Sequence, residues 1–267
     1  MSQSPLEAVR RVIPKFWAKL RPSWAALYRF ALFQQPVGPV PTLPDGASIR
    51  ILEARDAARV MTVHFPAPEQ APTVVHFHGA GVHLGEVVGV GESLRARGLG
   101  VLLVEYRGYG CSPGTPTEDG LHLDALAALD ALEADGVPPS QIVLLGVSLG
   151  SAIATEMAVR RRGSRLVLVT PFTSIPGVAN HFIKWFPANY VVRERFDNLA
   201  KAPLIDLPAL VIHGTRDKVV PFRMGQEVAA SLRRSHFVTI EGGGHCDLFD
   251  RHAPQVLEAI INHAFAI

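Results

Sequence analysis

Ser148 stands at the centre of Gly146-Val147-Ser148-Leu149-Gly150. A serine hydroxyl attacks a carbonyl effectively only when a base takes its proton, an acid orients that base, and N–H donors await the developing oxyanion. The chain offers each part, in the order Ser, Asp, His. Asp217 closes Leu210-Val211-Ile212-His213-Gly214-Thr215-Arg216-Asp217, an apolar run ending in a turn. A carboxylate there can hold the distal nitrogen of an imidazole and stabilise the imidazolium that forms when the serine proton is taken. A turn Asp can also simply satisfy backbone N–H groups. In this pattern Asp217 is preferred to Asp197, Asp247 and Asp250. His245 follows Glu241-Gly242-Gly243-Gly244. Consecutive glycines are costly in backbone entropy, which suits a loop that must pass close to something while presenting one side chain. Imidazole titrates near neutral pH and so serves as a general base.

Two backbone N–H groups are expected to hold the oxyanion. One is that of Leu149, directly after the serine. The other is that of Ala80 in His76-Phe77-His78-Gly79-Ala80-Gly81, where Gly79 and Gly81 let the backbone approach a substrate carbonyl. Phe172, Phe182, Trp185 and Phe186 offer apolar area without charge partners, and are expected to bind an acyl group of short to medium length. His76, His78 and His83 lack the further Asp-His pair that a dinuclear hydrolase would need. Gly108-Tyr109-Gly110 is too short for a nucleotide site, and no Walker or dinucleotide fingerprint occurs. The expected chemistry uses no metal and no cofactor.

The elements that must position these residues follow from periodicity. Gln141 to Leu145 is a continuous apolar run after Pro139-Ser140, a buried strand turning sharply at Ser148 into a helix from Ser151 to Arg162. Strands are expected at 48–54 and 59–65, as an antiparallel pair, then at 73–77, 100–105, 165–169, 209–213 and 236–240. Helices are expected at 87–98, 118–135, 223–233 and 254–265. Strands alternating with helices imply right-handed crossovers and a mostly parallel, doubly wound sheet of about eight strands. An aromatic, Pro-rich insertion, about 171–206, follows the sixth strand. It reads either as a long surface crossover or as a small lid over the site at the C-terminal edge of the sheet.

The 267 residues fit one large α/β domain, residues 48–267, preceded by a Pro- and Gly-rich linker at 36–47. With 48% hydrophobic and 19% charged residues and a formal net charge of +2, the composition is that of a soluble globular protein with no case for nucleic acid. Cys111 and Cys246 are too few for a disulfide framework. No apolar run is long enough to span a bilayer and no secretory signal is recognisable, so a cytoplasmic protein is expected. Residues 1–35 form a basic amphipathic stretch, with Val9, Val12, Ile13, Phe16, Trp17 and Leu20 at helical spacing among Arg10, Arg11, Lys15 and Lys19. Such an arm can dock on the body or lie on an anionic membrane surface, and both readings stay open.

His78-Gly79, Glu105-Tyr106-Arg107-Gly108-Tyr109-Gly110, Gly146-Val147-Ser148-Leu149-Gly150, His213-Gly214-Thr215-Arg216-Asp217 and Gly244-His245 together resemble the alpha/beta-hydrolase superfamily. More narrowly, they resemble its small alpha/beta-hydrolase-domain-containing serine hydrolases. The likeness covers roughly residues 45 to 267. It implies a catalytic triad of Ser148, Asp217 and His245, an oxyanion hole at Ala80 and Leu149, and a small-molecule ester as substrate. Relatives of this branch include esterases, lipases, thioesterases on acylated proteins and aminopeptidase-like members, and often carry an N-terminal membrane anchor. Here a basic amphipathic start stands in place of a spanning helix. A hydrolase fold used only for binding is the reading from another class, and the presence of all three triad residues argues against it.

Overall fold

A computed structural model describes residues 32–68, 70–185 and 187–266. Residues 1–31 of the arm expected at 1–35, and Phe186, lie outside the described residues. Eight strands form one sheet in the order β1-β2-β4-β3-β5-β6-β7-β8. They are β1 Ser48–Glu53, β2 Arg59–Phe65, β3 Thr73–Phe77, β4 Gly100–Val104, β5 Ile142–Val147, β6 Arg165–Val169, β7 Ala209–Gly214 and β8 Ser235–Ile240. The β1-β2 and β2-β4 pairs are antiparallel and the other five pairs are parallel.

Alternate side chains of each inner strand go to opposite faces, as the twofold period of a strand requires. Val75, Phe77, Leu102, Val104, Leu144, Leu166, Leu168 and Val211 join one core with helices α2 (Glu118–Ala134), α3 (Leu149–Val159) and α7 (Phe222–Ser231). Val74, Val101, Leu103, Val143, Leu145, Val167, Leu210 and Ile212 join the other with α1 (Leu84–Arg95) and α8 (Ala253–Phe265). Continuous apolar runs are what a strand covered on both faces needs.

The chain leaves β3 for β4 on one side and returns to β5 on the other. The loops after β3 and β5 therefore diverge, and a crevice opens at their C-terminal ends. Ser148 and the segment His78–His83 lie at those ends. The insertion after β6 folds as three short helices, α4 (Ile175–Phe182), α5 (Ala188–Val191) and α6 (Asn198–Lys201).

Two boundaries differ from the sequence expectation for physical reasons. Helix α1 begins at Leu84, three residues early, because the His83 side chain accepts the Gly85 N–H while Glu86 accepts the His83 N–H. Histidine is not among the usual capping residues, so this start was not legible. Helix α3 begins at Leu149, directly after Ser148, without an intervening turn.

Candidate active site

The strand β5 to helix α3 turn holds Ser148 at φ 51°, ψ −114°. A non-glycine residue in such a conformation costs on the order of 1–3 kcal/mol and needs the surroundings to impose it. They do so from both sides. The Ser148 N–H donates to the Val169 carbonyl (2.9 Å) and the Ser148 carbonyl accepts the Ser151 N–H (2.9 Å). The flanking glycines are dictated by space: a Cβ on Gly150 would fall on the Phe77 carbonyl, and one on Gly146 on the Gly150 carbonyl.

His245 Nε2 lies 3.0 Å from Ser148 Oγ, and its Nδ1 lies 2.7 Å from Asp217 Oδ2. Residues 148, 217 and 245, remote in sequence, thus form one hydrogen-bonded row. The Asp217 side chain is fully buried. Its Oδ1 accepts the N–H groups of Val219 and Val220, each at 2.8 Å, and its Oδ2 also faces His213 Nε2 at 3.3 Å. Burial by itself would raise the Asp217 pKa. The hydrogen bonds from His213 and His245, with the His245 charge and the Val220 N–H, outweigh it and hold the carboxyl well below the usual range. A row of this kind can draw a proton from the serine and leave the positive charge on an imidazole beside a fixed anion.

The glycine run before His245 also has a spatial cause. Gly243 passes against Gly214, where a Cβ would strike the Gly243 backbone, and the Gly243 carbonyl accepts the Arg216 N–H at 2.8 Å. The loop bearing the histidine is thereby tied to the loop bearing Asp217. Two of the alternative carboxylates have other roles. Asp247 Oδ1 accepts the Gly244 N–H (2.7 Å), and Asp197 caps α6 through the Ala200 N–H (3.0 Å).

Ser148, Leu149, His245 and Ala80 border one cavity of about 290 Å³. No acceptor among the described residues takes the N–H of Ala80 or of Leu149. Gly79 packs against the serine, where a Cβ would stand 3.4 Å from Ser148 Cβ, and Gly81 turns the loop at φ +75°. Of the expected acyl-binding aromatics among the described residues, only Phe172 lines the cavity. Phe182 and Trp185 do not. They are 58% and 80% exposed, because the inward stripe Ile175, Val178 and Ala179 ends where α4 ends, at Phe182, and the chain then leaves the body. Phe186 lies outside the described residues. The remaining wall is aliphatic, with Leu32, Val192, Val219 and Val220, plus the Gln34 amide. Sequence reasoning weighted aromatic residues and so passed over these valines, which sit in loops without periodicity.

The histidines near β3 are engaged separately. His83 caps α1, and His78 pairs with Glu105 (3.0 Å). His76 is buried within β3, where burial and the neighbouring His78 push its pKa down to about 3. Among the described residues no cluster of His, Cys, Asp and Glu could hold a metal ion.

Two protein families match the chain: one described as "Serine aminopeptidase, S33" over residues 68–200, the other as "TAP-like protein" over residues 185–262. An uncharacterized protein of Mycobacterium tuberculosis is 34% identical over 232 residues, covering 84% of this chain and 82% of that protein. Human alpha/beta hydrolase domain-containing protein 17B is 31% identical over 190 residues, covering 68% of this chain and 63% of the human one. The chain belongs to the alpha/beta-hydrolase superfamily. This alpha/beta hydrolase also superposes on the Pyrococcus furiosus esterase Pf2001 with a TM-score of 0.68 at 19% identity, covering 85% of this chain and 98% of the esterase. At that identity the likeness concerns the fold. Among the described residues of the hydrolase no helix is long and apolar enough to cross a membrane.

Proposed function

We propose that this alpha/beta hydrolase cleaves carboxylic esters through an acyl-enzyme on Ser148. The observation that carries the reading is the Ser148–His245–Asp217 row, with its strained serine opening into an apolar cavity. Ser148 Oγ attacks the ester carbonyl carbon while its proton passes to His245 Nε2. The carbonyl oxygen becomes an oxyanion held by the N–H groups of Ala80 and Leu149. Collapse expels the alcohol, which takes the proton from His245 and leaves the acyl group on Ser148. Water then attacks the acyl-enzyme with His245 again as base, and the carboxylic acid departs. Asp217 stays ionised throughout, orienting His245 and stabilising its charged form.

The lining supports an aliphatic ester as the substrate. Apart from His245, no titratable side chain borders the cavity among the described residues. An aliphatic acyl group suits it, whereas a free α-ammonium, which an aminopeptidase must bind, would meet no carboxylate there. A volume of about 290 Å³ is at the small end for ligand pockets, roughly 300–1,000 Å³, and favours short to medium chains. Hydrolysis of 4-nitrophenyl esters from acetyl to palmitoyl, with Ser148→Ala as blank, tests this. An optimum below decanoyl is expected, and turnover surviving in Ser148→Ala would overturn it.

One observation favours a second reading, a lipase or thioesterase acting on acyl lipids or acylated proteins at a membrane surface. The insertion that walls the cavity through Val178 and Val192 turns Phe182, Trp185 and Tyr190 outward beside exposed Lys184. Aromatic and cationic side chains together suit an anionic interface, and Leu32, which follows the basic residues 1–31 in the sequence, lines the same cavity. Anionic vesicles that raise long-chain turnover would support this reading. Indifference to vesicles leaves a soluble esterase.

A further inference from the structure

Glu105 opens a sequence motif, Glu-Tyr-Arg-Gly-Tyr-Gly, of which the proposed reaction makes no use. The residue lies one step beyond the parallel register pair Phe77 and Val104, so it stands beside His78 at the same sheet edge as Ser148. Both side chains are buried, at 2% and 1% exposure. A carboxylate taken this far out of water must be satisfied on both oxygens. Glu105 Oε1 lies 3.0 Å from His78 Nε2, and Oε2 accepts the Leu84 N–H at 3.0 Å.

Those two contacts are the two ends of one loop. His78 is its first residue after β3, and Leu84 is the first residue of α1. Between them lie Gly79, Ala80 and Gly81, and Ala80 borders the cavity beside Ser148. One carboxylate therefore clamps both ends of the segment that carries Ala80, whose N–H is proposed above to hold the oxyanion. The His78 ring adds further constraint. Its Nδ1 lies 2.8 Å from the Gly79 carbonyl, which only accepts, so Nδ1 carries a proton. The Tyr106 hydroxyl donates to the His78 carbonyl at 3.0 Å.

The support continues outward. Gly110, at φ +50°, lies where a Cβ would strike Glu105 Oε2, so glycine there makes room for the carboxylate. Arg107 fixes the loop that carries Glu105: its backbone N–H donates to Asp124 Oδ2 at 2.8 Å and its Nε to Oδ1 at 2.9 Å, with Asp124 fully buried on α2.

We infer that Glu105 is a positioning residue that, through His78 and the Leu84 N–H, sets the backbone of Ala80 for oxyanion binding. The inference rests on the esterase reading above. It acts on the transition state more than on substrate binding, because the oxyanion forms only as the carbonyl is attacked.

The test compares Glu105→Ala with Glu105→Gln in the full chain. Glutamine can accept the Leu84 N–H with its oxygen and donate to His78 Nε2 with its amide, so it keeps both clamps. Alanine keeps neither. Glu105→Ala is expected to lose on the order of 10²-fold in kcat at little-changed KM, as for loss of one oxyanion donor. Affinity for a boronic acid, which mimics the tetrahedral intermediate at Ser148, should fall by a similar factor. Glu105→Gln should stay within about fivefold of wild type in both.

Burial makes some loss of stability certain for alanine, so Ile142→Ala, a core change at the start of β5, at the opposite end of the sheet from the loop, serves as control at a matched loss of melting temperature. Three results would overturn the inference: Glu105→Ala no less active than that control, a loss confined to KM, or Glu105→Gln as impaired as Glu105→Ala. Failure of the esterase reading itself shows separately, as wild-type protein without Ser148-dependent turnover.

Discussion

Replacing Asp217 by Asn keeps the shape of the site and reverses one group of contacts. The Asn carbonyl oxygen can take the place of Oδ1 and accept the N–H groups of Val219 and Val220, now at 2.8 Å each, so the turn should fold as before. The amide NH2 then occupies the position of Oδ2, where it faces His245 Nδ1 at 2.7 Å and His213 Nε2 at 3.3 Å. A donor replaces an acceptor toward both rings. His245 can meet it only by giving up the proton on Nδ1, which places the remaining proton on Nε2, toward Ser148, where a base is needed. The imidazolium that must form also loses its fixed anion. In serine proteases the corresponding change lowers kcat about 10⁴-fold, or about 5 kcal/mol of transition-state stabilisation at about 1.4 kcal/mol per tenfold. The same order is expected here for 4-nitrophenyl butyrate turnover at neutral pH, with circular dichroism unchanged. Activity within tenfold of wild type in a folded Asp217→Asn would refute the assignment of Asp217 as the residue that orients His245.

Three further outcomes follow from the structure. Val178→Phe adds bulk to the inner face of α4 and should lower octanoyl relative to acetyl turnover by tenfold or more, since a single methylene in a pocket is worth about 10- to 200-fold. Phe182→Ala, outside the cavity, should leave the chain-length profile on soluble esters unchanged; a shifted profile would return Phe182 to the acyl site. Acid should destabilise the fold through His76. The unfolded chain binds that proton below the ordinary value of 6.5, whereas the folded chain resists it down to about 3, so stability falls as pH drops between the two. The slope is about 1.4 kcal/mol per pH unit for one such group. Urea titrations of His76→Gln between pH 6 and 4 should show a shallower loss by about that amount, and an unchanged slope would contradict the account.

The sequence made the sheet legible because strands buried on both faces announce themselves as continuous apolar runs between turn residues, as at Val101 to Val104 and Ile142 to Leu145. Ser148, Asp217 and His245 were legible because each ends a strand or loop whose glycines have no other purpose. The structure supplies that purpose in the close passage of Gly150 under Phe77 and of Gly243 against Gly214. The cavity wall was not legible. Whether an aromatic residue of the insertion faces in or out depends on where α4 stops, which neither composition nor spacing reveals; thus Phe172 lines the cavity while Phe182 and Trp185 do not. Leu32, Val192 and Val219 carry no local signal, and only the folded chain brings them beside the serine. Glu105 was visible as part of a motif, yet its partners, His78 and the Leu84 N–H, are 27 and 21 residues away and are joined only by the β3-β4 pairing.

The central claim is that Ser148 is the nucleophile, and the most direct test is reaction of the full chain with a fluorophosphonate followed by peptide mass spectrometry. A serine activated by His245 should form one adduct, on Ser148, with ester turnover lost in step with labelling and no adduct in Ser148→Ala. A folded protein that turns over esters yet takes the adduct on another residue, or takes none, would contradict the account.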